Sequence, residues 1–136
     1  MLFVAYAKNN SEKLNKLVSD CYGHALLDSG CSTTVCGEMW LSNYYDSLSD
    51  YATFTFADGV SVKSIKKINL PYYIRDMRAM IEVDVVSCNI PLLLSKYSMK
   101  KGKMCLNFGD DSAVINGRKM LLKSNDSGHY LLPLSF

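Results

Sequence analysis

The strongest constraint on this chain is a cadence. Short apolar runs recur along it, each closed by Gly, Asn, Asp, Ser or Pro within roughly 8–12 positions, the spacing of an all-β domain rather than of helices. The runs predict strands at Leu2–Ala7, Leu17–Asp20, His24–Leu27, Ala52–Phe56, Val60–Ile65, Ile68–Tyr73, Met80–Val86, Lys103–Phe108, Ala113–Ile115, Lys119–Lys123 and Tyr130–Leu134. Asp58-Gly59 and Asn116-Gly117 each sit between alternating runs, the form of a two-residue hairpin in which Gly accepts positive φ. Two helices compete with this pattern. Ser11 is placed to cap a turn carrying Leu14, Leu17 and Val18, although Leu17-Val18 equally begins a strand. Pro91 to Met104 starts with Pro, is rich in Leu, Lys and Met, and reaches Gly102 near its end, which predicts a helix.

Size sets the next limit. The 136 residues are 49% hydrophobic and 21% charged, enough for one domain, residues 1–136, with its own core and no staples. A net charge of +2 is too small for a nucleic-acid footprint, and the lysines at 63, 66, 67, 96, 100, 101 and 103 read as solvated faces. No apolar run approaches the roughly 20 residues of a membrane span. Met1 to Ala7 lacks the basic start and length of a secretory signal, so an intracellular protein is expected, in cytoplasm or a virus-like particle. The five cysteines, an odd count at irregular spacing, fit free buried thiols better than a disulfide framework. Cys21, His24, Cys31 and Cys36 are donors suited to zinc, but a strand through Ala25-Leu26-Leu27 holds His24 and Cys31 apart. No metal or other cofactor is expected.

Chemistry concentrates at Ala25-Leu26-Leu27-Asp28-Ser29-Gly30. An acid directly behind a buried strand is costly unless it is hydrogen-bonded or shared. The plainest reading is a strand-to-turn junction, with Asp28 bonding its own backbone and Gly30 easing the turn. The tripeptide alone is weak evidence, because Asp126-Ser127-Gly128 repeats it after a polar stretch and reads as an exposed turn. Only the first copy follows an apolar strand.

In that context Ala25 to Gly30 resembles the active-site motif of retropepsins, the aspartic proteases of retroviruses and retrotransposons. The resemblance runs on in order over about residues 16–108. Thr53–Ile65 falls where that family has its flap, and Ile90 to Lys101 where it has an apolar-apolar-Gly element leading into a helix. Met104-Cys105-Leu106-Asn107-Phe108 resembles the strand that ends the retroviral enzymes. Val35-Cys36-Gly37, Trp40-Leu41 and Ser127 to Tyr130 resemble retrotransposon polyprotein proteases. Two positions depart: Ser95 stands where the family has Gly, and the flap tip Ala57-Asp58-Gly59 has a single glycine.

The resemblance implies an all-β, retropepsin-like half-barrel with one short C-terminal helix and a β-rich extension at 109–136, paired as a two-fold homodimer. It implies an aspartic endopeptidase acting on peptide or polyprotein substrates, with no nucleic-acid or membrane partner. Asp28 would be catalytic, one from each subunit. Ser29 would cross-link the two active-site loops, and Gly30 would let substrate backbone approach. Phe56, Ala57, Asp58, Gly59 and Val60 would bind substrate as the flap. In the retroviral relatives the chain termini interleave to build much of the dimer sheet. The extension at 109–136 carries apolar runs and turn signals, which predict a hairpin plus a final strand packed on the body. Two other functions compete: a retropepsin-like dimerisation or binding module without efficient proteolysis, and a thiol hydrolase using Cys31 or Cys36 with His24 or His129.

Overall fold

Helices α1 (Ser11–Asp20), α2 (Glu38–Ser47) and α3 (Lys96–Lys101) interrupt a chain that is otherwise mostly strand. The strands are β1 (His24–Leu27), β2 (Val35–Gly37), β3 (Lys66–Ile74), β4 (Met77–Val86), β5 (Leu92–Leu94), β6 (Cys105–Asn107), β7 (Ser112–Ile115), β8 (Arg118–Leu121), β9 (Lys123–Ser124) and β10 (Tyr130–Pro133). These come from a computed structural model that describes residues 11–47, 66–74 and 77–134. The expected strands Leu2–Ala7, Ala52–Phe56 and Val60–Ile65, with the Asp58-Gly59 hairpin, lie outside the described residues.

Seven strands form one curled sheet in the order β3-β4-β2-β5-β1-β10-β9, and β6-β7-β8 form a second. The sequence explains the split between its edge and its centre. β3 and β4 alternate buried and exposed residues over much of their length, as a sheet with one wet face requires, and pair antiparallel from Lys66↔Val85 to Ile74↔Met77. At the centre, Ala25 and Leu26 of β1 and Leu92 and Leu93 of β5 are buried on both faces. These two continuous apolar runs pair in parallel, Ala25↔Leu92 through Leu27↔Leu94. The other side of β1 is taken by β10, antiparallel, with His24↔Pro133 and Leu26↔Leu131.

Gly37 locks β2 into place. Its N–H donates to the Ile90 carbonyl at 3.0 Å, and an added Cβ would stand 2.8 Å from the Ile90 nitrogen and oxygen and closer still to the Cys88 carbonyl. Only glycine fits there. The next segment, α2, was not expected. Its Trp40, Leu41 and Tyr44 point into the core at no more than 1% exposure. Trp40 Nε1 donates to the Cys21 carbonyl at 2.9 Å, and Tyr44 Oη donates to the Pro71 carbonyl at 2.7 Å. Burial of each such large side chain is worth about 1.5–3 kcal/mol, which outweighs the modest helix propensity of an aromatic-rich run.

Three expectations are corrected. Leu17–Asp20, where strand and helix competed, is the last part of α1, with Val18 sunk in the core. The helix expected over Pro91–Met104 divides: Leu92–Leu94 is a buried strand, and only Lys96–Lys101 is helical. A short apolar run fits either state, and the sheet claims this one. Lys119–Lys123 is likewise broken. β8 stops at Leu121, Leu122 turns inward with its N–H on the Asp111 carbonyl at 2.8 Å, and β9 continues in the other sheet.

The Asn116-Gly117 hairpin forms as the sequence reads, with φ of 49° and 82° at its two turn residues and Ile115↔Arg118 closing it. Helix content also exceeds the single short helix expected, with three among the described residues. Among the described residues no helix is long and apolar enough to cross a membrane.

Candidate active site

Asp28 stands at the point where β1 leaves the sheet. Its N–H still belongs to the parallel ladder, donating to the Leu94 carbonyl at 3.0 Å. Its carbonyl already belongs to a turn, accepting the Cys31 N–H at 3.1 Å. The carboxylate folds back over that turn and accepts the Gly30 N–H on Oδ1 at 3.1 Å. A Cβ at position 30 would lie 3.3 Å from the same oxygen, so glycine keeps this approach open. Ser29 and Gly30 are exposed, and Asp28 itself is half-buried. A carboxylate is thus presented at the surface from a rigid strand end, with one oxygen fixed by a backbone donor.

The second copy of the tripeptide differs in every respect. Asn125, not the aspartate, organises that turn, taking the Ser127 and His129 N–H groups on Oδ1 at 3.0 and 2.9 Å. Gly128 has φ of 84°, and the Asp126 side chain is 99% exposed.

The loop behind Asp28 is fastened by hydroxyls. Thr34 Oγ1 accepts the Ser95 N–H at 3.0 Å and lies 3.0 Å from Ser95 Oγ and 2.5 Å from Ser98 Oγ. Ser95 Oγ in turn caps α3 by accepting the Ser98 N–H at 3.2 Å. Both Thr34 and Ser95 are buried, so these bonds are made away from competing water. The hydroxymethyl group that departs from the retropepsin pattern is therefore used, joining the loop after Asp28 to the helix. Ser95-x-x-Ser98 is a readable cap, but the Thr34 contact joins residues far apart in sequence and carries no local signal.

Cys31 lies under the loop at 5% exposure. Burial, and then the adjoining Asp28 carboxylate with which the thiol is hydrogen-bonded, push its pKa up to about 11. Burial, with Asp20 adding to it, pushes the Cys21 thiol up to about 12, and burial alone raises that of Cys36. Nucleophilic thiols need the opposite environment, one that favours the thiolate. His24 directs Nδ1 to the Tyr22 carbonyl at 3.0 Å. Among the described residues, no three His, Cys, Asp or Glu side chains gather where an ion would be held. All five cysteines are free, but Cys88 and Cys105 are exposed, which corrects the expectation of five buried thiols.

Two concavities flank the loop. The larger, about 500 Å³, is lined by Ser32, Thr33 and Thr34, by β4 residues including Met80, Glu82 and Asp84, and by Tyr97 and Ser98. Asp28 is absent from its lining. The other, about 470 Å³, includes Leu27 and Ser29 on either side of Asp28, with Met99, Leu106, Phe108 and Tyr130 opposite. Asp28 is absent from this lining too, although both of its chain neighbours belong to it. The expected flap residues Phe56, Ala57, Asp58, Gly59 and Val60 lie outside the described residues.

No protein-family model matches the chain, and no curated protein matches it. Among solved structures it is similar to the retroviral protease-like domain of Ddi1 from Leishmania major, at 16% identity and a TM-score of 0.46, covering 71% of this chain and 77% of that one. A likeness of this extent decides nothing about activity.

Proposed function

We propose that this chain is a retropepsin-like aspartic endopeptidase of retrotransposon type, working as a homodimer in which each subunit supplies one Asp28. The observation that carries the reading is the carboxylate at the end of β1, half-exposed and pinned by the Gly30 N–H beside an exposed Ser29. Two such carboxylates face to face cannot both ionise, so they share one proton. One then acts as general base on a water molecule while the other, protonated, donates to the substrate carbonyl oxygen. The attacked carbon becomes tetrahedral, and its collapse breaks the C–N bond as the amine takes a proton. Extended peptides, including polyprotein junctions, are the substrate class.

Incubation with an oriented peptide library tests this directly. Fragments are expected, at an initial rate that rises with more than the first power of protein concentration, because the site exists only in the dimer. A rate linear down to a demonstrated monomer would reject the shared site. The second reading, a retropepsin-like binding module with weak or no proteolysis, draws on the larger cleft, whose lining takes in Ser32 to Thr34 but not Asp28. Peptides bound and recovered intact would favour that reading.

A further inference from the structure

We infer that Cys31 is a positioning residue for Asp28, its thiol donating a hydrogen bond that steadies the carboxylate from the buried side of the loop. The inference rests on the protease reading and adds a second fixed donor to the proposed site.

Sequence spacing brings the two side chains together. Asp28 and Cys31 are the first and fourth residues of a turn closed by the Cys31 N–H on the Asp28 carbonyl at 3.1 Å. Four residues joined in that way return the chain on itself, with the outer Cα atoms less than about 7 Å apart. Ser29 and Gly30 form the exposed tip, while Cys31 turns inward at 5% exposure. There its thiol is hydrogen-bonded to the Asp28 carboxylate, which also accepts the Gly30 N–H at 3.1 Å. Two donors, one from the backbone of the turn and one from the side chain beneath it, fix the carboxylate more closely than either alone.

A thiol suits this place. An ionised carboxylate accepts hydrogen bonds and donates none, so the proton between the two groups is the one on sulfur. Burial, and then the Asp28 carboxylate, push the Cys31 pKa up to about 11, so that proton stays in place wherever a carboxylate dyad works. Lys or His at position 31 would put a charge beside a pair that has to hold a single shared proton. The thiol adds none. The other Asp-Ser-Gly lacks this arrangement: its fourth residue is His129, whose N–H goes to Asn125, and the Asp126 side chain is open to solvent.

Two measurements on the full 136-residue chain test the inference. The first is kinetic. Cys31→Ala is expected to lower kcat about tenfold, the worth of one hydrogen bond, and to leave KM within about twofold. Cys31→Ser, which returns a donor, is expected to recover most of the loss. Cys36→Ala removes a buried thiol perturbed by burial alone and should leave kcat unchanged. If Cys31 only filled space, the Ala and Ser variants would share the wild-type kcat and differ in stability. An unchanged kcat in Cys31→Ala, or no recovery in Cys31→Ser, would overturn the inference.

The second measurement is the S–H stretch in the infrared, which reads the contact whether or not peptide is cut. In Asp28→Asn the acceptor becomes a neutral amide, a weaker one, so one S–H band is expected to move to higher frequency. Should a Cys31 variant fail to fold, this comparison decides: a moved band supports the inference, and superimposed spectra reject it. The two arms also keep the readings apart. A band that moves in a protein that cuts no peptide keeps the hydrogen bond and rejects the protease on which its role depends. Superimposed spectra in an active protease do the reverse.

Discussion

The Ser95 hydroxyl lies 3.0 Å from that of Thr34, a residue 61 positions earlier, with neither side chain open to solvent. Through this pair the loop that follows Asp28 is tied to the first turn of α3. Ser95→Gly, which restores the residue of the retropepsin pattern, is expected to lower stability by about 1–2 kcal/mol, because it removes a helix cap and strips Thr34 of a buried partner. Urea unfolding of the two proteins measures the difference, and a stabilised variant would contradict the structural role given to the hydroxyl.

Asp28→Asn is close to isosteric and keeps an acceptor for the Gly30 N–H, so the fold and dimer are expected to survive. Peptide cleavage should fall roughly a thousandfold or more, since an amide cannot serve as general base. Asp126→Asn, in the exposed turn, is the matched control and should be silent. Turnover at equal dimer concentration gives the comparison.

Gly37→Ala places a methyl group against the backbone of residues 88–90. Backbone yields less readily than a side chain, so a loss of about 2–3 kcal/mol is expected. Thermal unfolding followed by circular dichroism will report it as a clear drop in melting temperature.

The buried thiols give stability a pH dependence with a definite sign. Cys31 and Cys21 are raised to about 11 and 12 in the folded chain from an ordinary value of 9.0. The unfolded chain therefore loses these protons first as pH rises, and stability falls. The contribution is complete below about pH 9 and is lost progressively as pH climbs toward 11–12. Urea midpoints at several pH values between 8 and 11 should decline for the wild type, and Cys31→Ala should flatten the decline.

Truncation after Phe108 removes β7 to β10 and leaves one whole side of β1 without its antiparallel neighbour. The shortened chain is expected to lose solubility and cooperative unfolding, whereas a dispensable linker would leave both intact.

Local chemistry was legible wherever it was sufficient. His24–Leu27 was read to the residue, and the Asn116-Gly117 hairpin needed nothing beyond its own turn. The contrast between the two Asp-Ser-Gly copies was also readable, from the strand that precedes one and not the other. Legibility failed where distant residues decide. Glu38–Ser47 is helical because Trp40 and Tyr44 find carbonyl partners at Cys21 and Pro71, and nothing within the segment announces them. Leu92–Leu94 is a strand because β1 lies alongside it, although its residues suit a helix equally well. At the site, Asp28, Ser29 and Gly30 were named from the motif. Thr34 and Ser98 were missed because their roles exist only once Ser95 arrives beside them.

The strand that presents Asp28 is bonded on one side to residues 92–94 and on the other to residues 131–133. Its assembly is therefore governed by time as well as by geometry. During synthesis the aspartate emerges early, yet the ladder that fixes it stays open until almost the last strand described here has been made. Contacts so distant in sequence form slowly, after the entropy of closing a long loop has been met. A chain that ends before residue 131 thus carries the motif on a strand paired on one side only, and the cleavage proposed above would wait until β10 has been made.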